Sequence, residues 1–103
     1  SQDFMIEQLE TIAETLEKRL LKTKLKGKTV TLKLKFSDFT QQTRSKTIGY
    51  FVNLKEDFFP IVKELILQEE PKNSVRLLGI SLTNLNTNET DKKSVSVQLK
   101  LDF

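Results

Sequence analysis

Three patterns in the sequence predict an α+β fold, in which an antiparallel hairpin has one oily face covered by two helices. The first lies in residues 28–48. Val30, Leu32, Leu34 and Phe36 alternate with Thr29, Thr31, Lys33 and Lys35, the period of a half-buried strand. The second is a pair of apolar stripes at spacings of three and four, before and after that hairpin. The third is a further alternating run, VRLLGISLTNL, near the carboxyl end.

The first helix is expected over about residues 4–21. Ile6, Leu9, Ile12, Ala13, Leu16 and Leu20 form its stripe, with Ser1 or Asp3 as cap and glutamates in its first turns. The glutamates opposite the stripe read as a solvated face. Lys22 to Lys28 form a basic connector with Gly27 as its turn residue. The hairpin's second strand is expected from Thr43 to Ile48. The intervening SDFTQQ holds no Asn-Gly or Asp-Gly pair, so a loop of several residues is expected rather than a two-residue turn. Gly49 to Leu54 read as a connector. Asp57 is the expected cap of the second helix, with Pro60 in its first turn, where a missing N–H costs little. Phe58, Ile61, Val62, Leu65 and Ile66 give its stripe, and the pair Phe58–Phe59 reads as core rather than as a stacking platform. In the last strand of the body Leu78, Ile80 and Leu82 point inward. A bulge at Gly79 would switch the parity before it, which leaves the facing of Arg76 open.

At 103 residues the chain makes one domain with a modest core, and no apolar run approaches the roughly 20 residues of a membrane helix. Cysteine and histidine are absent. The first excludes a disulfide framework and fits an intracellular protein. With no Gly-rich phosphate loop and no clustered acid pair, an autonomous enzyme is the least supported class. Net charge is only +3 but unevenly spread. After the early glutamates, Lys22, Lys24, Lys26, Lys28, Lys33, Lys35, Arg44 and Lys46 are opposed only by Asp38. Such a block suits a phosphate backbone or a solvated lysine face, and charge alone leaves both open.

The run TLKLKFSDFTQQTRSKTI, an amphipathic helix and then VRLLGISLTNL resembles the little-finger domain of Y-family DNA polymerases of the bacterial polymerase IV type. That resemblance implies a four-stranded antiparallel sheet with two helices on one face. It implies that the open face lies in the DNA major groove and grips template–primer phosphates, many through backbone N–H groups. The family contacts map onto Thr43, Arg44, Ser45, Lys46, Thr47 and Arg76, beside the outward Lys33 and Lys35. Catalytic carboxylates, and the magnesium they hold, are implied for a palm domain that nothing here matches, so no cofactor is expected in this chain. A cytoplasmic setting is implied.

The chain opens at Ser1 without methionine, as a processed start or a piece of a longer protein would. The resemblance places a strand before the first helix, beside the last strand of the body, and here the sequence begins at the helix. The little finger is thus expected over residues 1–85 without its first strand, followed by a flexible linker over 86–97. Residues 98–103, QLKLDF, are similar to the peptides that dock bacterial polymerases on the sliding clamp. Gln98, Leu99, Leu101 and Phe103 are the implied contacts. The tail can be free, folded back or swapped onto the sheet edge that the absent strand leaves. The expectation is a free tail or one captured by a neighbouring molecule, with self-association as the consequence. The alternative function is a ferredoxin-like RNA- or protein-binding module with solubilising lysines. The outward hairpin positions lack the aromatics that base stacking uses, which favours phosphate contact.

Overall fold

The computed structural model describes residues 2–68, 71, 73–89 and 93–101. In chain order they form α1 (Gln2–Thr23), β1 (Gly27–Phe36), β2 (Gln41–Val52), α2 (Lys55–Leu67), β3 (Val75–Leu85) and β4 (Ser94–Lys100). The strands make one antiparallel sheet in the order β2-β1-β3-β4, so the fold is α+β as the patterns predict.

The apolar stripes do what their spacing requires. Leu9, Ile12, Ala13, Leu16 and Leu20 of α1 and Phe58, Val62, Leu65 and Ile66 of α2 are buried against one face of the sheet. That face is supplied by Val30, Leu32 and Leu34 of β1 and Leu78, Ile80 and Leu82 of β3, all fully buried. Directly opposed residues of an antiparallel pair share a face. The registers Leu34–Leu78, Leu32–Ile80 and Val30–Leu82 therefore put all six side chains on the helix side.

Several boundaries differ from expectation, each for a reason outside the local sequence. The turn after α1 is made at Lys24, which is left-handed (φ 59°), not at Gly27. The Leu25 N–H donates to the Leu20 carbonyl at 3.0 Å, and the Lys24 N–H to that of Leu21 at 3.4 Å, closing the helix in a Schellman arrangement. Gly27 is needed for a close approach instead, since a Cβ there would lie 2.8 Å from the Thr83 carbonyl oxygen. The hairpin loop has several residues, as expected. Phe39 takes the left-handed conformation at φ 70°, and the Asp38 carboxylate accepts from the Thr40 hydroxyl (2.6 Å) and N–H (3.1 Å). β2 runs on through the residues read as a connector, to Val52, which pairs with Gly27.

α2 begins two residues before its expected cap. Asp57 lies in its first turn, and Pro60 lies inside the helix and forgoes a hydrogen bond to the Glu56 carbonyl. The cap comes from α1: the Lys55 N–H donates to Glu17 Oε2 at 2.7 Å. Lys55 Nζ meets Glu10 and Glu14 at 3.3 Å each. Desolvation pushes this ammonium's pKa down, but its hydrogen bonds to Glu14 and Glu10 outweigh that and hold it above the ordinary lysine value. The proposed cap Ser1 lies outside the described residues, and Asp3 is within α1. In β3 the bulge falls not at Gly79 but between the pairs Lys35–Leu77 and Phe36–Val75, so Arg76 is the extra residue and is exposed.

The largest departure is the tail. The linker was expected to run to residue 97, yet Ser94 already begins β4. β4 pairs with β3 of the same molecule from Thr83–Ser94 to Leu77–Lys100. It takes the edge that the resemblance assigns to a strand before α1. The hold is physical: Val95, Val97 and Leu99 pack on the core, Leu101 is 6% exposed within it, and the Leu101 N–H donates to the Arg76 carbonyl at 2.7 Å. From α1, Arg19 donates to the Ser96 carbonyl at 2.9 Å.

Candidate nucleic-acid interface

The face of the sheet away from the helices is laid out by the three registers. Its cross-strand rows are Thr47–Thr29–Thr83–Ser94, Ser45–Thr31–Ser81–Ser96, Thr43–Lys33–Gly79–Gln98 and Gln41–Lys35–Leu77–Lys100. No carboxylate stands in these rows. One end is a hydroxyl field. The Thr29 and Thr47 hydroxyls are 2.8 Å apart, those of Ser81 and Ser96 are 2.9 Å apart, and Asn84 Nδ2 donates to Thr29 Oγ1 at 2.6 Å. The other end carries Lys33, Lys35 and Lys100. Among the described residues none of these lysines has a carboxylate partner. Asp38 lies just past that end, in the hairpin loop. Its carboxyl is held below the usual range by the hydroxyl and then the N–H of Thr40.

The site residues expected from sequence do not all share this face. Lys33, Lys35, Thr43, Ser45 and Thr47 do. Arg76 is exposed at the bulge beside Leu77. Arg44 and Lys46 pair with Leu32 and Val30, so their side chains stand on the helix side. Arg44 is 8% exposed, and one of its guanidinium nitrogens donates to the carbonyls of Leu65 (2.8 Å) and Ile66 (3.3 Å). Lys46 Nζ bonds both carboxylate oxygens of Glu64 in α2, at 3.0 and 3.2 Å. The alternation that runs Thr43 to Thr47 through the sheet puts every second residue behind it, and α2 supplies acceptors there. Of the tail residues, Gln98 is exposed on the open face, Leu99 is half-buried and Leu101 buried; Phe103 lies outside the described residues.

The edge of β2 adds backbone donors. The Phe36 N–H donates to the Thr40 carbonyl at 2.9 Å. Hydrogen-bonded and non-bonded pairs alternate along an antiparallel ladder. In this register, Leu34–Gln42, Leu32–Arg44 and Val30–Lys46 are therefore the bonded pairs. The N–H and C=O groups of Thr43, Ser45 and Thr47 then point away from β1, and β2 is an edge strand. Two residues to which sequence reasoning gave no site role also reach the open face. Gly79 leaves a gap in the row between Lys33 and Gln98, and Arg19 comes round the β4 edge from α1. The second has no local signal, because on a helix it reads as one more exposed cation.

Fold and face together define a two-layer α+β domain whose sheet carries cations and hydroxyls without acids. The chain belongs to the impB/mucB/samB family, whose C-terminal-domain model matches residues 1–101. This is the family to which the order KLKFSDF, TRSKT and VRLLG points. A DNA polymerase IV of Clostridium perfringens is 47% identical over 87 residues, covering 84% of this chain and 24% of the relative. A DNA polymerase IV of Bacteroides fragilis is 34% identical over 100 residues, covering 96% of this chain and 28% of the relative. A DNA polymerase IV 2 of Agrobacterium fabrum is 35% identical, with the same coverage of 96% and 28%. The chain thus spans about a quarter of the length of these curated relatives.

Proposed function

We propose that this chain is the DNA-holding little-finger module of a translesion DNA polymerase of the polymerase IV type, working in the cytoplasm. Its open face rests in the major groove at the template–primer, and catalysis with its magnesium belongs to a palm elsewhere in the parent protein. The observation that carries this reading is the acid-free face: lysines and hydroxyls across four strands, bordered by an edge strand with outward N–H groups. Lys33, Lys35 and Arg76 neutralise phosphates through side chains. The segment Thr43–Arg44–Ser45–Lys46–Thr47 contributes outward backbone donors and hydroxyls, while Arg44 and Lys46 brace it from behind. Phosphate contacts position a protein without reading sequence. Duplex binding by the isolated chain should therefore be weak, indifferent to base sequence and lost steeply with salt. Lys33→Ala with Lys35→Ala should lower the salt slope by about two charges, while Arg44→Ala should leave it unchanged. A titration of a primer–template at several salt concentrations checks this. Strong sequence preference, or affinity that ignores salt, would sink the reading in favour of an RNA- or protein-binding module.

The same reading gives the tail a second task, docking on the sliding clamp through Gln98, Leu99, Leu101 and Phe103. Leu101 cannot fill an apolar pocket on a clamp while it is buried in this core, so β4 has to leave β3 first. In the parent chain a strand before α1 would hold that edge and release the tail. In this chain, clamp binding should expose the β4 amides to hydrogen exchange. Arg19→Ala removes the bond to the Ser96 carbonyl and should tighten clamp binding about threefold. Deleting residues 101–103 should abolish it while leaving duplex affinity nearly untouched. Undiminished clamp binding by that truncation would remove the docking assignment.

A further inference from the structure

We infer that Phe39, at the tip of the β1–β2 hairpin, is a stacking platform for an unpaired template base, a deepening that rests on the DNA-holding function proposed above. Its side chain is 73% exposed, more than any other large apolar one among the described residues. Its backbone is left-handed at φ 70°, a conformation that glycine and asparagine take readily and a bulky residue takes only under constraint. Burial does not explain the ring and local conformation opposes it, so its use lies outside the domain. The loop is built to hold this geometry. The Phe39 N–H donates to the Phe36 carbonyl at 3.0 Å, and the Phe36 N–H to that of Thr40 at 2.9 Å. The segment ahead of β3 pins the tip from the side. The Ser37 N–H donates to the Ser74 carbonyl at 2.9 Å, and Asn73 Nδ2 donates to Asp38 Oδ2 at 3.3 Å.

The chemistry of the tip selects a base rather than a phosphate or a protein groove. The Asp38 carboxylate beside the ring repels phosphates from this loop. The residues that build the tip with Phe39 are Ser37, Asp38, Thr40 and Asn73, all polar, so the ring is not part of an apolar patch that a protein groove would cover. Another exposed ring, that of Phe51, already has a cation, with Lys28 Nζ 4.6 Å from its centroid. Among the described residues no cation covers Phe39. Its π face is open, and every base offers a matching one. The pair Lys35–Gln41 forms the row of the open face next to the loop, so a strand laid on that face passes the ring as it leaves the sheet. Paired bases are already stacked within the duplex. In a template–primer the bases with a free face are on the unpaired template past the primer end, so the hairpin end of the sheet is turned to that side. β4 supplies no part of the platform, which therefore stands whether the tail is docked or released.

The test compares two primer–templates on the 103-residue chain, one with a short thymidine overhang and one whose overhang is abasic. The two carry the same phosphates and differ only in bases. The wild type should bind the first about five- to tenfold more tightly, the contribution of one stacked base. Phe39→Asn should erase that preference and keep the wild-type salt slope, since no charge is lost. It should also raise the urea midpoint, because asparagine relieves the left-handed residue. Phe39→Trp should keep the preference. Its indole, in a chain with no other tryptophan, should be quenched by the thymidine overhang and not by the abasic one. A lowered urea midpoint in Phe39→Asn would give the ring a structural role and overturn the platform. Equal binding of the two overhangs by the wild type, or a preference that survives the asparagine, overturns it as well. A wild-type chain that binds neither duplex overturns the holding function beneath it.

Discussion

Leu34→Ala should destabilise the domain by about 2–5 kcal/mol, a large part of the roughly 5–15 kcal/mol that a domain of this kind has. Leu34 is fully buried on β1, an inner strand flanked by β2 and β3. Its cross-strand neighbours are Gln42 and Leu78, and the helices close the layer above it. The surrounding strands are pinned by ladders on both sides, so the site has little freedom to collapse around the void. Its chain neighbour gives the control. Lys35 points to the open face, and Lys35→Ala should cost about 0.5 kcal/mol or less. Urea denaturation of the two variants reads the difference directly. Equal shifts in midpoint would mean that the two faces of β1 have been exchanged.

Arg44→Ala should cost about 2–3 kcal/mol in stability, and its effect on DNA should not be that of a lost phosphate contact. α2 has no basic residue in its last turn. The cation at its negative end comes instead from β2, where the Arg44 guanidinium donates to the carbonyls of Leu65 and Ile66 and to Gln42 Oε1. Alanine leaves those carbonyls without their donor in a site that water barely reaches. Arg44→Met retains the packing of the stem but not the bonds, so most of the loss should remain. The folded fraction of either variant should bind duplex with the wild-type salt slope. A variant that is as stable as wild type and loses about one charge from that slope would instead make Arg44 a DNA contact.

The contrast between these two residues shows where sequence reading stops. Leu34 is legible because its role is set by neighbours two residues away, and the alternation in β1 is uninterrupted. The stripes of α1 and α2 and the bounds of β3 are legible for the same reason. Arg44 sits in a basic, hydroxyl-rich run that reads as one surface. Its true partners are carbonyls 21 and 22 residues further along the chain. The start of α2 behaves likewise. Asp57 has the chemistry of a cap, but Glu17, 38 residues earlier, already bonds the Lys55 N–H. Gly79 reads as a candidate bulge, yet it pairs in register with Lys33 and Gln98, and the shift falls at Arg76.

By itself the sequence determined the element types from α1 to β3, the inward side of each inner strand and helix, and the family, because periodicity and motif order are properties of contiguous residues. Tertiary structure decided what lies opposite what. It turned Arg44 and Lys46 toward α2, placed the bulge at Arg76, and brought Lys33, Gly79 and Gln98 into one row. It also decided the fate of the tail. An alternating segment such as SVSVQLK carries the same local preference whether free, swapped or folded back. Only the edge of β3, with a core beside it that accepts Leu101 and an Arg19 in reach of Ser96, makes folding back the arrangement in which its backbone and apolar groups are satisfied.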